Sequence, residues 1–203
     1  MAMILVVDDK EEVCESIKSM LQSADNTVHT AQTVEDGVTC LRRCQGSDVH
    51  FHKRYGVAII DLHFDNFEGT EQQKAEAGMQ VVDAALRVPF LEPIVLTAFP
   101  SPKTAADALA RGVFRYVTKL QSGDNNQQFT ERLNEAVCLA LDNRELMYTL
   151  DESLRELRAS FESMEIQGAK GSAVDDARTY LDCAQRAYQI ILKARGRNPS
   201  TKT

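Results

Sequence analysis

Five short apolar runs, each followed by a stretch of helix length, limit the architecture this chain can adopt. Met3–Val7, Thr27–Thr30, Val57–Asp61, Ile94–Thr97 and Phe114–Thr118 are four or five residues long and rich in β-branched and aliphatic residues, as short strands are. The stretches after them, Glu11–Leu21, Thr33–Cys44, Gly78–Val88, Lys103–Ala110 and a long segment from near Asn125, carry apolar residues at helical spacing. Pro89 is expected to stop the third helix and Gly112 to cap the fourth. Strands that alternate with helices imply a parallel sheet covered on both faces, with right-handed crossovers.

In such a sheet every strand ends on one edge, which is where open α/β sheets bind their ligands. The sequence places Asp8 and Asp9 after the first run, Asp61 at the end of the third, Thr97 at the end of the fourth and Lys119 after the fifth. Clustered carboxylates repel, by about 4 kcal/mol for two charges 4 Å apart at an effective dielectric of about 20. A hard divalent cation removes that cost, and Mg²⁺ takes oxygen ligands from one or two carboxylates, water and phosphate. A carboxylate is also a competent nucleophile that forms an acyl phosphate. Mg²⁺, the Lys119 ammonium and the Thr97 hydroxyl would then each meet one phosphoryl oxygen. The plainer reading of the cluster is a structural ion-pair network. Two other phosphate chemistries fit less well. A haloacid-dehalogenase-like phosphatase wants an Asp two residues after its nucleophile, where this chain has His63, and no Gly-x4-Gly-Lys-Ser/Thr segment is present.

Ile4-Leu-Val-Val-Asp8-Asp9, Ile60-Asp61-Leu62, Val95-Leu96-Thr97-Ala98 and Tyr116-Val-Thr-Lys119 resemble, in order and spacing, the receiver domain of two-component response regulators. The resemblance covers about residues 1–143. It implies a flavodoxin-like, doubly wound five-stranded parallel sheet of order 2-1-3-4-5. It implies that Asp61 is the phosphoacceptor, that Asp9 and Asp61 bind Mg²⁺ directly and Asp8 through water, and that the His63 backbone carbonyl completes the metal shell. Thr97 would move toward the phosphoryl group, and Tyr116 would be the aromatic switch residue. The implied donor is a histidine kinase or phosphotransfer protein in a cytoplasmic phosphorelay. The chain would be a phosphoacceptor and no enzyme beyond self-phosphorylation and slow autodephosphorylation. Leu120 and Asp65 stand where the family usually has proline, and the segment Leu62–Ala77, with Asp65, Glu68, Glu71 and Glu76, is longer than usual. Those departures keep open a receiver-like scaffold that binds proteins without phosphate.

Charge and cysteines narrow the setting. A net charge of −7 disfavours bulk nucleic-acid binding, although residues 167–203 hold seven Lys/Arg against three Asp. That basic tail reads as a solvated terminus. The five cysteines lack disulfide-like spacing and fit a reducing cytosol. Cys40 and Cys44, with His50 and His52, match zinc-site spacing poorly, and their thiols are expected to pack as small apolar groups. No apolar run approaches the 18 residues of a membrane span, and no secretory signal is evident.

From Phe129 a 4-3 apolar spacing runs through Leu133, Ala136, Ala140, Asn143, Met147, Leu150, Leu154, Leu157, Phe161 and Met164. Gln167–Ala173, with two glycines, interrupts it, and Val174, Ala177, Leu181, Ala184, Tyr188 and Ile191 continue it. Flanking charges do not support a parallel coiled coil. Two segments of nearly equal length and a short Gly-containing linker favour an antiparallel hairpin. The expected organisation is a receiver over 1–143, a helical interaction and dimerisation hairpin over 144–195, and a flexible tail over 196–203. All four histidines lie outside these helices, which excludes a histidine-bearing kinase bundle. No convincing helix-turn-helix is present, so the expected output is protein–protein contact rather than DNA binding, with a homodimer through the C-terminal helices.

Overall fold

The computed structural model describes residues 1–44, 50–119, 126–166 and 171–194. In chain order it contains β1 (Ala2–Val7), α1 (Glu11–Leu21), β2 (Asn26–Ala31), α2 (Val34–Arg43), β3 (Tyr55–Asp61), α3 (Glu71–Ala85), β4 (Glu92–Thr97), α4 (Pro102–Arg111), β5 (Arg115–Thr118), α5 (Asn126–Ile166) and α6 (Ser172–Ala194). The five strands form one all-parallel sheet in the order β2-β1-β3-β4-β5, the expected doubly wound topology. The chain forms two compact units, Met1–Arg144 and Glu145–Thr203.

Period-two alternation divides the first unit's core in two. Leu5, Val7, Ala58 and Ile60 face α2 and α3, packing on Leu41, Val81 and Val82. Their neighbours Ile4, Val6, Val57 and Ile59 face α1 and α5, packing on Ile17, Leu133, Ala136 and Ala140. Strands buried on both faces read as unbroken apolar runs, and this is why these segments were legible as strands. Because α5 supplies half of that second layer, its first turns belong to the receiver fold.

The segment after β3 departs from expectation. Helix α3 begins at Glu71, seven residues before the expected start at Gly78, and ends at Ala85 ahead of Pro89. The cause is a capping box. The Thr70 hydroxyl accepts from the Gln73 N–H at 3.3 Å, and the Gln73 side-chain oxygen accepts from the Thr70 N–H at 2.8 Å. Polar Gln72, Gln73 and Lys74 hide this turn from an apolar-periodicity argument. The supposed long loop Leu62–Ala77 is therefore a shorter connection followed by helix.

Gly78 sets the height of α3 over the sheet. A Cβ there would lie 1.9 Å from the Asp61 carbonyl oxygen and 2.6 Å from Leu62 Cα, both backbone atoms. The Gly78 N–H meanwhile donates to the Leu62 carbonyl at 3.0 Å. Helix propensity alone would reward Gly78→Ala by about 1 kcal/mol. Overpacking against backbone outweighs it, so Gly78→Ala should lose about 1–3 kcal/mol net. The check is a urea titration, and an unchanged or raised midpoint would refute the close approach.

At the opposite edge of the sheet a buried polar group anchors the end of α5's receiver part. Glu92 is 2% exposed and accepts from Asn143 Nδ2 at 2.6 Å. Arg144, 5% exposed, donates to the Phe51 carbonyl at 2.7 Å with its guanidinium 3.8 Å above the Phe51 ring. A Cβ on Gly56 would meet Arg144 Cδ at 2.9 Å, so the glycine leaves room for that side chain.

The second unit is an antiparallel helix pair. Asp151 on α5 is hydrogen-bonded to Tyr188 on α6, and Arg178 of α6 lies 5.8 Å over the Phe161 ring of α5. Ten residues forward on α5 thus match ten back on α6, which is one continuous antiparallel register. The single apolar stripe expected along α5 divides in two here. Met147, Leu154 and Phe161 are buried, while Leu150, Leu157 and Met164 stay exposed. On α6 only Tyr188 of the expected stripe is fully buried, Val174 and Leu181 are half-buried, and Ala177, Ala184 and Ile191 are exposed. A pair of helices presents only a narrow seam to each partner, so half of a wide stripe is left over. Residues 167–170 of the expected linker and the tail expected over 196–203 lie outside the described residues.

Candidate phosphoryl-transfer site

The C-terminal ends of β1 and β3 bring Asp8, Asp9 and Asp61 together, with one oxygen of each within 4.8 Å of the others. Asp8 and Asp61 are 1% and 4% exposed. Two carboxylates so buried need a counter-charge. The residue after β5 supplies it: Lys119 Nζ lies 2.6 Å from Asp8 Oδ2 and 2.5 Å from Asp61 Oδ2. Its backbone N–H donates to the Thr97 carbonyl at 2.7 Å, which ties the lysine to the end of β4. Thr97 is itself buried, and its hydroxyl accepts from the Phe99 N–H at 3.2 Å. Tyr116 lies one strand over on β5, half-buried, with its phenol pushed above its ordinary value by burial.

Asp9 is held from the β3–α3 loop. Its Oδ2 accepts from the Asp65 N–H at 2.7 Å and from the Asn66 N–H at 3.3 Å. Position 65 is where the receiver resemblance leads one to expect proline, and proline has no N–H to donate. The departure at Asp65 therefore adds a hydrogen bond to the acidic cluster. The Asp65 side chain accepts from His63 Nε2 at 2.8 Å and pairs with Lys10 at 3.6 Å. That imidazole contact holds the exposed Asp65 carboxyl below its usual range. The His63 ring also meets the Phe99 ring edge-on at 5.6 Å, while its backbone N–H points to Asp61 Oδ1 at 3.4 Å. The Asp65 and Asn66 amides were not legible from sequence, because a backbone donor leaves no trace in side-chain identity. Leu120, the other departure, lies outside the described residues.

The donor set fits a small hard cation. Asp9 Oδ1 is buried and has no hydrogen-bond partner among the described residues. An oxygen left so beside two further carboxylates is the kind of ligand Mg²⁺ takes, and the set contains no thiol or imidazole nitrogen. Cys14, beneath the cluster, is a packing group. Its Sγ lies 3.3 Å from the Asp8 carbonyl, and burial pushes its pKa to about 11. Cys40 is half-buried and Cys44 buried, as apolar packing of those thiols requires.

Burial raises the Asp61 carboxyl above the usual carboxylate range, and the Lys119 charge offsets only part of that rise. For Lys119 burial pulls the ammonium down, but Asp61 and Asp8 outweigh it and hold the net value above the ordinary one. A carboxyl that binds its proton more tightly when folded contributes stability that is full below its unfolded pKa of about 4 and lost as pH rises through the folded value. Asn at position 61 cannot ionise and escapes that loss. Without divalent cations, the urea midpoint of Asp61→Asn should gain on wild type as pH rises from about 4 to 8. A constant difference across that range would contradict the buried, charged Asp61.

Comparison with known proteins agrees with this geometry. The family described as "Response regulator receiver domain" matches residues 4–131. The chain is similar to the transcriptional regulatory protein TdiR of Thauera aromatica, 25% identical over 154 residues, covering 76% of this chain and 58% of that protein. It is also similar to the transcriptional regulatory protein GlrR of Escherichia coli K12, 28% identical over 184 residues, covering 84% of this chain and 37% of that protein. This chain thus spans less than two thirds of the length of either relative. Among solved structures, a receiver domain protein from Clostridium thermocellum superposes with a TM-score of 0.54 at 23% identity, over 72% of this chain and 98% of that one. The receiver domain of a Luxo repressor protein from Vibrio parahaemolyticus gives 0.55 at 18%, over 71% and 93%. With a family match over most of residues 1–131 and a parallel sheet that gathers three carboxylates and a lysine at one edge, the chain belongs to the response regulator receiver domain family.

Proposed function

We propose that the protein is a response regulator whose Asp61 accepts a phosphoryl group in a Mg²⁺-dependent reaction and whose helical second unit passes the signal on through protein contacts. The observation that carries this reading is the placement of Lys119 Nζ between Asp8 and Asp61, beside the unpartnered Asp9 oxygen. Asp61 attacks the phosphorus of the donor. The Asp61 oxygen–phosphorus bond forms, the donor–phosphorus bond breaks, and the donor leaves with that electron pair. Lys119, already within hydrogen-bond reach of Asp61, stays to meet the charge gathering on one phosphoryl oxygen. The Thr97 hydroxyl, held at the end of β4, takes a second. Mg²⁺, when bound, supplies charge neutralisation for a third, and Asp8, Asp9, Asp61 and the His63 backbone carbonyl are the groups that would hold it. Tyr116, on the strand that leads toward α5, is the residue proposed to report the change.

The donor class is a phosphohistidine on a kinase or phosphotransfer protein, in the cytoplasm. No helix among the described residues is long and apolar enough to cross a membrane. The receiver is assigned to residues 1–143 and the interaction element to 144–195, where self-association is expected. The test is incubation of the full chain with acetyl phosphate and Mg²⁺, followed by intact mass. One added phosphoryl group that disappears on chelation is expected. No gain, or a gain indifferent to chelation, would overturn the reading.

A further inference from the structure

The second unit exposes an apolar face that one antiparallel register assigns to a single side of the helix pair. On α5 the residues turned toward α6 are Met147, Leu154 and Phe161, all buried. At 100° per residue, Leu146, Leu150, Leu157 and Met164 lie about a quarter-turn to one side of that line, and they are 66%, 37%, 60% and 47% exposed. On α6 the inward line runs through Leu181, Gln185, Tyr188 and Leu192, which are buried or half-buried. Tyr180, Ala184, Ala187 and Ile191 lie about a quarter-turn from it in the same rotational sense, and all are exposed. Two antiparallel helices that each turn away from their contact in the same sense present those residues on the same side. Charge follows the division except at Asp176, which stands near the start of α6 on its apolar side. Arg155, Glu162, Arg178, Asp182 and Lys193 occupy the other side, and between Leu146 and Met164 the apolar side of α5 adds only Ser153 and Ser160.

We infer that this face docks on a second copy of the same chain, forming a four-helix bundle about a two-fold axis perpendicular to the helices. This deepens the reading of the second unit as an interaction element and rests on it. Size and pattern both argue for a second copy. The face is about 28 Å long and roughly 20 Å wide, on the order of 600 Å² in projection, and its corrugated surface approaches the about 800 Å² per partner of a standard specific interface. The pattern is self-complementary, as a two-fold interface requires. With the axis level with Arg155, Leu150 faces Ser160 of the other copy and Leu157 faces Ser153. The register places Ala184 at that same level on α6. There Ile191 faces Ala177, Ala184 meets its own copy, and Tyr180 falls one residue from the level of Ala187. Leu146 faces Met164 at the two ends of α5's face; between them large meets small, and the pairs on α5 and α6 centre on one shared level to within a residue.

The test uses the full chain at tens of micromolar. Light scattering should give twice the 22.6 kDa chain mass. Leu157→Arg, at a site already 60% exposed and so tolerant of the change, should halve that mass with an unchanged circular dichroism spectrum. Asp182→Arg, on the charged side, should leave the dimer intact. With Cys138 and Cys183 replaced by Ser, Ala184→Cys should form a disulfide-linked dimer on oxidation and Ser160→Cys should not. A monomeric wild type, a dimeric Leu157→Arg, a monomeric Asp182→Arg, or equal cross-linking by the two cysteine variants would each overturn the assignment. Phosphoryl gain by intact mass reads the receiver separately. A failed dimer with a normal gain therefore rejects the face alone.

Discussion

Asp61→Asn should reduce phosphoryl gain from acetyl phosphate by about 10³-fold or more, a barrier increase of about 4 kcal/mol. The variant keeps the size of the side chain and removes only the nucleophilic oxygen. The neighbouring carboxylates do not replace it. Asp9 is held by the Asp65 and Asn66 N–H groups, and Asp8 is buried against Lys119 and accepts from the Lys10 N–H at 3.0 Å. Phosphorylation of the Asn variant at the wild-type level would reassign the acceptor.

Lys119→Ala should separate metal binding from signalling. The lysine is a counter-charge to Asp8 and Asp61 and no ligand, so the carboxylates that would hold Mg²⁺ remain. Removing one partner of a buried charge cluster leaves the others unpaired, which typically costs about 3–5 kcal/mol. In the absence of Mg²⁺ the variant should therefore melt well below wild type. Mg²⁺ should raise its melting temperature more than it raises that of wild type, because the cation then neutralises charges that Lys119 no longer does. Losing one stabiliser of the developing phosphoryl charge should slow transfer by about 10²–10³-fold. A melting temperature insensitive to Mg²⁺ would refute the counter-charge role, as would a full phosphorylation-induced structural response.

Much of this was legible in residue order. Strands buried on both faces leave unbroken apolar runs, and their polar final residues converge once the sheet is parallel. Residue order alone therefore places Asp8, Asp9, Asp61, Thr97 and Lys119 on one edge. What escaped is what depends on backbone donors or on burial of charge. The start of α3 rests on a Thr70–Gln73 capping box among polar residues, so apolar periodicity set it too late. The hold on Asp9 comes from two main-chain N–H groups. The burial of Glu92 and Arg144 is not legible in sequence, because charged residues are rarely buried unless paired, and their partners, Asn143 and Phe51, are distant along the chain. The stripe along α5 was correct in period, but period cannot show which half of a wide face its neighbour covers.

The most direct test of the central assignment is to locate the phosphoryl group chemically. An acyl phosphate on Asp is reduced by borohydride to homoserine, whereas phosphate on a hydroxyl or an imidazole is not. Wild-type protein treated with acetyl phosphate and Mg²⁺, reduced and mapped by peptide mass spectrometry should carry homoserine at position 61 and nowhere else. Homoserine at another Asp, or a phosphorylated protein with Asp61 unreduced, would contradict the assignment of Asp61 as the phosphoacceptor.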